Sequence, residues 1–166
     1  MRESPGYIVR ANRKSLLQEL YRRGQRTIGL VVSDKAMGLV ESLPEVYPQA
    51  KWQRCVFHFH KNILHKVPRG KREEVAAMLK AIHAQESAEA AREKAEAVER
   101  QLRNKKLESA ADTLASGIIE STTYYQYPRE HHRSIRTNNM LERIMKEIRR
   151  RTRVVFAAKA MEWEAY

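Results

Sequence analysis

Apolar residues recur along this chain in two different registers, and the register changes mark the elements. Between Arg13 and Arg23, Leu16, Leu17, Leu20 and Tyr21 are spaced as on one face of a helix, and Gly24 is a natural stop for it. The run Thr27–Val32 is short, rich in β-branched residues and bounded by polar ones, which predicts a buried parallel strand. A short helix over Lys35–Leu43 follows, and Pro44 and Pro48 then mark a loop. Lys51–Phe57 predicts a second strand, and His58–Val67 a helix closed by Pro68-Arg69-Gly70.

From Lys71 to Thr123 the period is helical throughout. Val75, Met78, Leu79 and Ile82 form one stripe, Ser87 opens an Ala/Glu/Arg/Lys run to about Lys106, and Leu107, Ala111, Leu114 and Ile118 form a third helix. Tyr124, Tyr125 and Tyr127 ahead of Pro128 make an aromatic break, better suited to loop packing than to stacking on bases. The last predicted helix has Asn139 as N-cap and Glu142 three residues later, with Met140, Leu141, Ile144, Met145 and Ile148 as its apolar stripe. The fold class is therefore α/β and predominantly helical, with about two parallel strands. An α/β core over residues 1–69 gives way to an all-helical insertion over 70–127, and residues 128–166 return to the core.

Composition adds a partner class. Lys and Arg number 32 against 20 Asp and Glu, a formal charge of +12, which favours a polyanionic partner: nucleic acid or an acidic membrane face. No apolar run is long enough to span a bilayer, and MRESPGYIVR lacks the apolar core of a signal peptide, so a cytoplasmic protein is expected. The single cysteine excludes an intrachain disulfide framework.

The candidate chemistry sits on two carboxylates. Glu142 falls about 130° from the centre of its apolar stripe, on the solvent side with Lys146 and Arg149. Arg136, Arg143, Arg149, Arg150, Arg151 and Arg153 make its neighbourhood strongly positive. A metal-ligating carboxylate among phosphate-holding arginines is what a phosphodiester-cutting site requires. The bland reading is a capping glutamate on a solvated basic face. Asp34 ends a buried strand, where α/β folds place ligands and catalytic groups, or else it caps the helix that follows. Cys55 and His58 form a C-x-x-H pair with His60 and His65 nearby. With no second cysteine, packing and hydrogen bonding are expected rather than zinc.

Taken together, LVVSD at 30–34, WQRCVFHFHKN at 52–62 and IRTNNMLERIMKEIRRRTR at 135–153 resemble the mutator-type family of bacterial insertion-sequence transposases, over nearly the whole chain from about Arg22 to Val155. The resemblance implies a partial ribonuclease-H-like domain, with the helical insertion lying before the last acidic residue. It makes Asp34 the second and Glu142 the third acid of a DDE recombinase, both catalytic and both metal ligands. Cys55 and His58 match a signature pair of unassigned role. The implied cofactor is Mg²⁺ or Mn²⁺, two ions in the complete enzyme, acting in hydrolysis at element ends and strand transfer to target DNA. The implied partners are DNA and, in the complete enzyme, further copies of the chain near the nucleoid. Met37 and Met145 stand where the family usually has His and Asn.

The first acid belongs on an upstream strand, so a chain truncated at its amino-terminal side and inactive by itself is expected. The alternatives are a non-catalytic basic nucleic-acid-binding module and a helical interaction protein built on residues 71–123. The final helix is expected to lay its Leu141–Ile144–Ile148 stripe on the sheet and turn Glu142 toward Asp34.

Overall fold

A computed structural model describes residues 5–138 and 144–152, with side chains from residue 14 onward except Met37. Helix α1 (Pro5–Arg22) leads to strand β1 (Leu30–Ser33), helix α2 (Met37–Val46), strand β2 (Lys51–Arg54) and helix α3 (Val56–His65). A 3-10 turn at Arg69–Lys71 opens α4 (Arg72–Ile82), followed by α5 (Ala88–Asn104) and α6 (Glu108–Ser121). A second 3-10 turn, Thr123–Gln126, precedes α7 (Arg129–Ile135), and residues 144–152 are helical.

The two strands pair in parallel, Leu30 opposite Lys51 through Ser33 opposite Arg54, with α2 as the crossover. The expected α/β class and the parallel pairing both hold. The boundaries move: β1 starts three residues later than the apolar run, and β2 stops at Arg54 because Cys55 already caps α3. Pro44 lies inside α2 rather than in a loop, in its second half. Leu43 and Tyr47, on either side of it, are almost fully buried, so packing outweighs the backbone hydrogen bond that proline removes.

Two apolar clusters form. Leu17, Leu43 and Tyr47, with Ile28, Val31, Leu39 and Trp52 around them, bind α1 and α2 to the strand pair. The larger cluster runs from Phe59 and Ile63 of α3 through Val75, Leu79 and Ile82 of α4 to Val98, Leu102, Leu114 and Ile118 of α5 and α6. Helices α4 and α6 contribute the stripes that their sequence periods predict, and α3 and α5 add Phe59 and Ile63, and Ala91, Ala95, Val98 and Leu102. Ser87 caps α5 by accepting from the Ala90 N–H at 3.1 Å. At the other end of α5 the Leu107 N–H reaches the Leu102 carbonyl (2.9 Å) and the Lys106 N–H the Arg103 carbonyl (2.8 Å). That is a Schellman closure, with Lys106 at φ 60° where glycine is usual, and it folds α6 back on α5.

Strand β2 is joined to the helical cluster by buried polar groups. The Gln53 amide donates to the Ser121 carbonyl (2.9 Å), and its oxygen accepts from the Tyr124 N–H (2.8 Å). The Arg54 guanidinium lies 4.7 Å from the Phe59 ring centroid and meets Glu120 of α6 at 3.4 Å.

Gly117 makes room for this crossing: an added Cβ would stand 2.5 Å from Phe59 Cε2 and closer still to the Arg54 guanidinium. Gly117→Ala should therefore destabilise the fold by about 1–3 kcal/mol despite its better helix propensity. Urea unfolding checks this, and a stability gain would show that α3 and α6 are not in this contact.

Candidate active site

Asp34 follows the last residue of β1, at the carboxyl end of both strands. Its backbone is fixed from both sides. Ser33 Oγ accepts from Trp52 Nε1 at 2.9 Å and donates to the Asp34 carbonyl at 2.8 Å. The Asp34 carboxylate accepts from the Lys35 N–H at 2.7 Å. It does not cap α2, whose N-cap is Ala36 without a side-chain cap bond. Of the two readings open for Asp34, capping is thus removed, and the carboxylate stays half-exposed, with Oδ2 3.6 Å from His58 Nδ1.

Cys55 stands at the junction of three segments. Its N–H donates to the Ser33 carbonyl (2.8 Å), and its carbonyl accepts from the Phe59 N–H (2.9 Å), which opens α3. Its thiol is fully buried, 3.3 Å from Thr137 Oγ1, and the neighbouring Val56 N–H donates to the Arg136 carbonyl at 3.0 Å. The C-x-x-H pair therefore has a divided role. Cys55 holds the 136–138 segment against the strand ends, while His58, one turn into α3, faces Asp34. No group of three or more His, Cys, Asp or Glu side chains able to share a metal ion occurs among the described residues.

Glu142, Arg143 and Arg153 lie outside the described residues, so the expected approach of Glu142 to Asp34 is not visible. Lys146, Arg149, Arg150 and Arg151 are exposed on the 144–152 helix. Glu147 engages two of them, accepting from Arg150 at 2.7 and 2.9 Å and from Arg151 at 2.9 Å, and these bonds hold its carboxyl well below the usual range. The expectation that the apolar stripe of this helix packs on the sheet is corrected. Ile144 and Ile148 are 52% and 48% exposed, with Met145 beside them at 42%, while Leu141, the third residue of that stripe, lies outside the described residues.

Two features had no signal in the sequence reading. Glu120, in the middle of a helical pattern, receives both Lys35 (2.8 Å) and the buried Arg54 beside the Asp34 loop. The His60 and His83 rings lie tilted by 47° with centroids 5.0 Å apart, and His83 continues toward Tyr124, which stacks on Tyr125 at 4.4 Å. The tyrosine break is thus packing, as expected. Burial, then the charges of Arg136 and Lys80, lower the His60 pKa to about 4. Burial, then His60 and Arg136, lower that of His83 to about 3.

Among the described residues no helix is long and apolar enough to cross a membrane. A family model described as "Transposase, Mutator family" matches residues 10–158. The transposase for insertion sequence element ISRM5 of Rhizobium meliloti (strain 1021) is 36% identical over 155 residues, 92% of this chain and 38% of that protein. The transposase for IS406 of Burkholderia multivorans is 37% identical over 145 residues, 86% of this chain and 37% of that protein. The transposase for IS905 of Lactococcus lactis is 33% identical over 156 residues, 89% and 39% respectively. The chain thus spans under two fifths of the length of these relatives.

The two depressed histidines set a pH dependence. Unfolded histidine titrates near about 6.5, so below that pH the unfolded chain takes up protons that the folded one refuses. Stability is full above that value and falls as pH drops toward 3–4. His83→Gln should flatten the slope of unfolding free energy against pH, between pH 6 and pH 4, by roughly 1 kcal/mol per unit. Urea titrations of both proteins read it, and parallel slopes would show that His83 protonates in the folded state.

Proposed function

The chain belongs to the Mutator family of transposases, and on that premise we propose that it carries part of a DDE active site built on a ribonuclease-H-like domain. The observation that carries this reading is the convergence of Asp34, His58 and the Cys55–Thr137 contact at the carboxyl end of the parallel strands. Asp34 and Glu142 are the carboxylates that would hold Mg²⁺ or Mn²⁺. The half-exposed Asp34 oxygens suit such an ion, being hard donors next to solvent. When bound, the metal supplies Lewis-acid stabilisation to the oxygens of an in-line phosphodiester displacement.

The remaining roles belong to the chain itself. Asp34 is held by Lys35 N–H and the Ser33–Trp52 bond, so its carboxylate is oriented before substrate arrives. His58 limits its rotamers from the other side. The 136–138 segment, tied to Cys55 and Val56, sets where the Glu142-bearing stretch starts. Arg136, Arg143, Lys146, Arg149, Arg150, Arg151 and Arg153 hold phosphates of element ends and target DNA, without reading bases. Transposition, DNA element ends as substrate and assembly into an oligomer belong in this reading to the whole protein, because this chain spans under two fifths of the length of its relatives. A second reading, DNA binding without chemistry, draws on the exposed arginines of the 144–152 helix.

Duplex DNA should bind this chain with a log–log salt slope of roughly 0.9 per phosphate contact, and Arg149, Arg150 and Arg151 changed together to Ala should flatten it. An unchanged slope would remove these arginines from the interface.

In the protein extended to the length of its relatives, a Mg²⁺- or Mn²⁺-dependent nick at element ends should appear, and Asp34→Ala or Glu142→Ala should reduce it by at least about 10³-fold. A nick that survives Asp34→Ala would leave the non-catalytic reading.

A further inference from the structure

Along α3 from His58 lies a pocket of 380 Å³ whose walls include Val56, Phe57, His60, Lys80, His83 and Arg136. Its volume is that of a small-molecule site, far more than a water or a lone anion fills. Three observations define what it takes.

The first is the imidazole pair. His83 is 7% exposed, and neither of its ring nitrogens has a hydrogen-bond partner among the described residues; His60 Nε2 is likewise unpartnered. Buried polar atoms left in this state call for a complementary group. Both rings are neutral near pH 7, so each offers one donor and one acceptor rather than a charge. A mixed donor and acceptor edge matches a nucleobase better than it matches a carboxylate or a cation.

The second is Phe57, a large aromatic side chain left 44% exposed at the pocket. An exposed ring face is a stacking platform, and every base has a π-face to offer it. The third is charge: Lys80 and Arg136 flank the same space, and they are the groups that recognise a phosphate.

We propose that this pocket holds one unpaired nucleotide of a DNA strand, its base between Phe57 and the His60–His83 edge and its phosphate at Lys80 and Arg136. The inference rests on the DNA-handling reading above and deepens it. Phe57 and His58 are consecutive on α3 and point about 100° apart. The pocket is thus one residue along α3 from His58, the side chain that faces Asp34. A base taken out of the stack is held by hydrogen bonds to its edge and by stacking on aromatic side chains, which are the two kinds of group that this pocket offers.

The test uses the 166-residue chain with single-stranded and duplex oligonucleotides of one sequence at one salt concentration, read by fluorescence anisotropy. Phe57→Ala and Lys80→Ala both alter exposed side chains, so folding is retained. Each should lower single-strand affinity by about tenfold, and by more than it lowers duplex affinity. A 2-aminopurine placed in the single strand should change fluorescence on binding to the unmodified chain and not to Phe57→Ala.

Equal losses for the two forms of DNA would overturn the pocket while leaving DNA binding intact. Failure of the unmodified chain to bind either form would overturn both readings. Inorganic phosphate competing as well as the oligonucleotide, concentration for concentration, would reassign the pocket to a free anion and overturn the proposal.

Discussion

Three hydrogen bonds around one buried residue hold the candidate site together: Cys55 N–H to the Ser33 carbonyl, Val56 N–H to the Arg136 carbonyl, and the Cys55 thiol to Thr137 Oγ1. Each strand has four residues, and a two-stranded sheet of that length is not stable by itself. The strand ends therefore depend on what is fastened to them. A cysteine suits this junction because it is small, tolerates complete burial and still makes a weak hydrogen bond. Serine would bring a stronger donor at a greater desolvation cost, and alanine would leave Thr137 Oγ1 without this contact. The half-exposed carboxylate of Asp34 owes its placement to this closed backbone, since its own polar contacts are with Lys35 N–H and His58.

Much of the fold was legible because burial imposes periods. The stripes of α4 and α6 read directly as Val75–Leu79–Ile82 and Ala111–Leu114–Ile118, all buried, whereas α5 was legible only as a helical run and its buried face, Ala91–Ala95–Val98–Leu102, was not. The strand pair was legible as a β-branched run at Thr27–Val32 and a second short run from Lys51, though its edges were not. Strand ends are set by hydrogen-bond partners such as Trp52 to Ser33, which no periodicity encodes. Pro44 misled for the same reason: tertiary packing of Leu43 and Tyr47 outvoted local preference. The apolar face of the last helix is the opposite case. Its period was correct, but period says nothing about which element covers a stripe, and here Ile144 and Ile148 face solvent.

The candidate site divides along similar lines. Asp34 and the C-x-x-H pair were visible as motif residues, but their division of labour was not, since Cys55 works through Thr137, far along the chain. Glu120 and His83 carried no motif at all. Each matters only because a helix far away in sequence brings it beside Arg54 or His60. Electrostatics sorts these groups differently from composition. The net charge of +12 does not say where charges sit: Arg150 and Arg151 both lean on Glu147, and the Arg54 side chain is almost fully buried.

The crossing of Arg54 over Phe59, with Gly117 left open to admit it, has a mechanical meaning. Gln53 and Arg54 fasten the last two residues of β2 to α6 and to the turn after it, and the next residue begins the Ser33 ladder. The helical layer and the strand ends are therefore fastened to one another at β2 by buried side chains. A displacement of α6 would therefore be felt at Arg54 and, through Glu120 and Lys35, at the loop that carries Asp34.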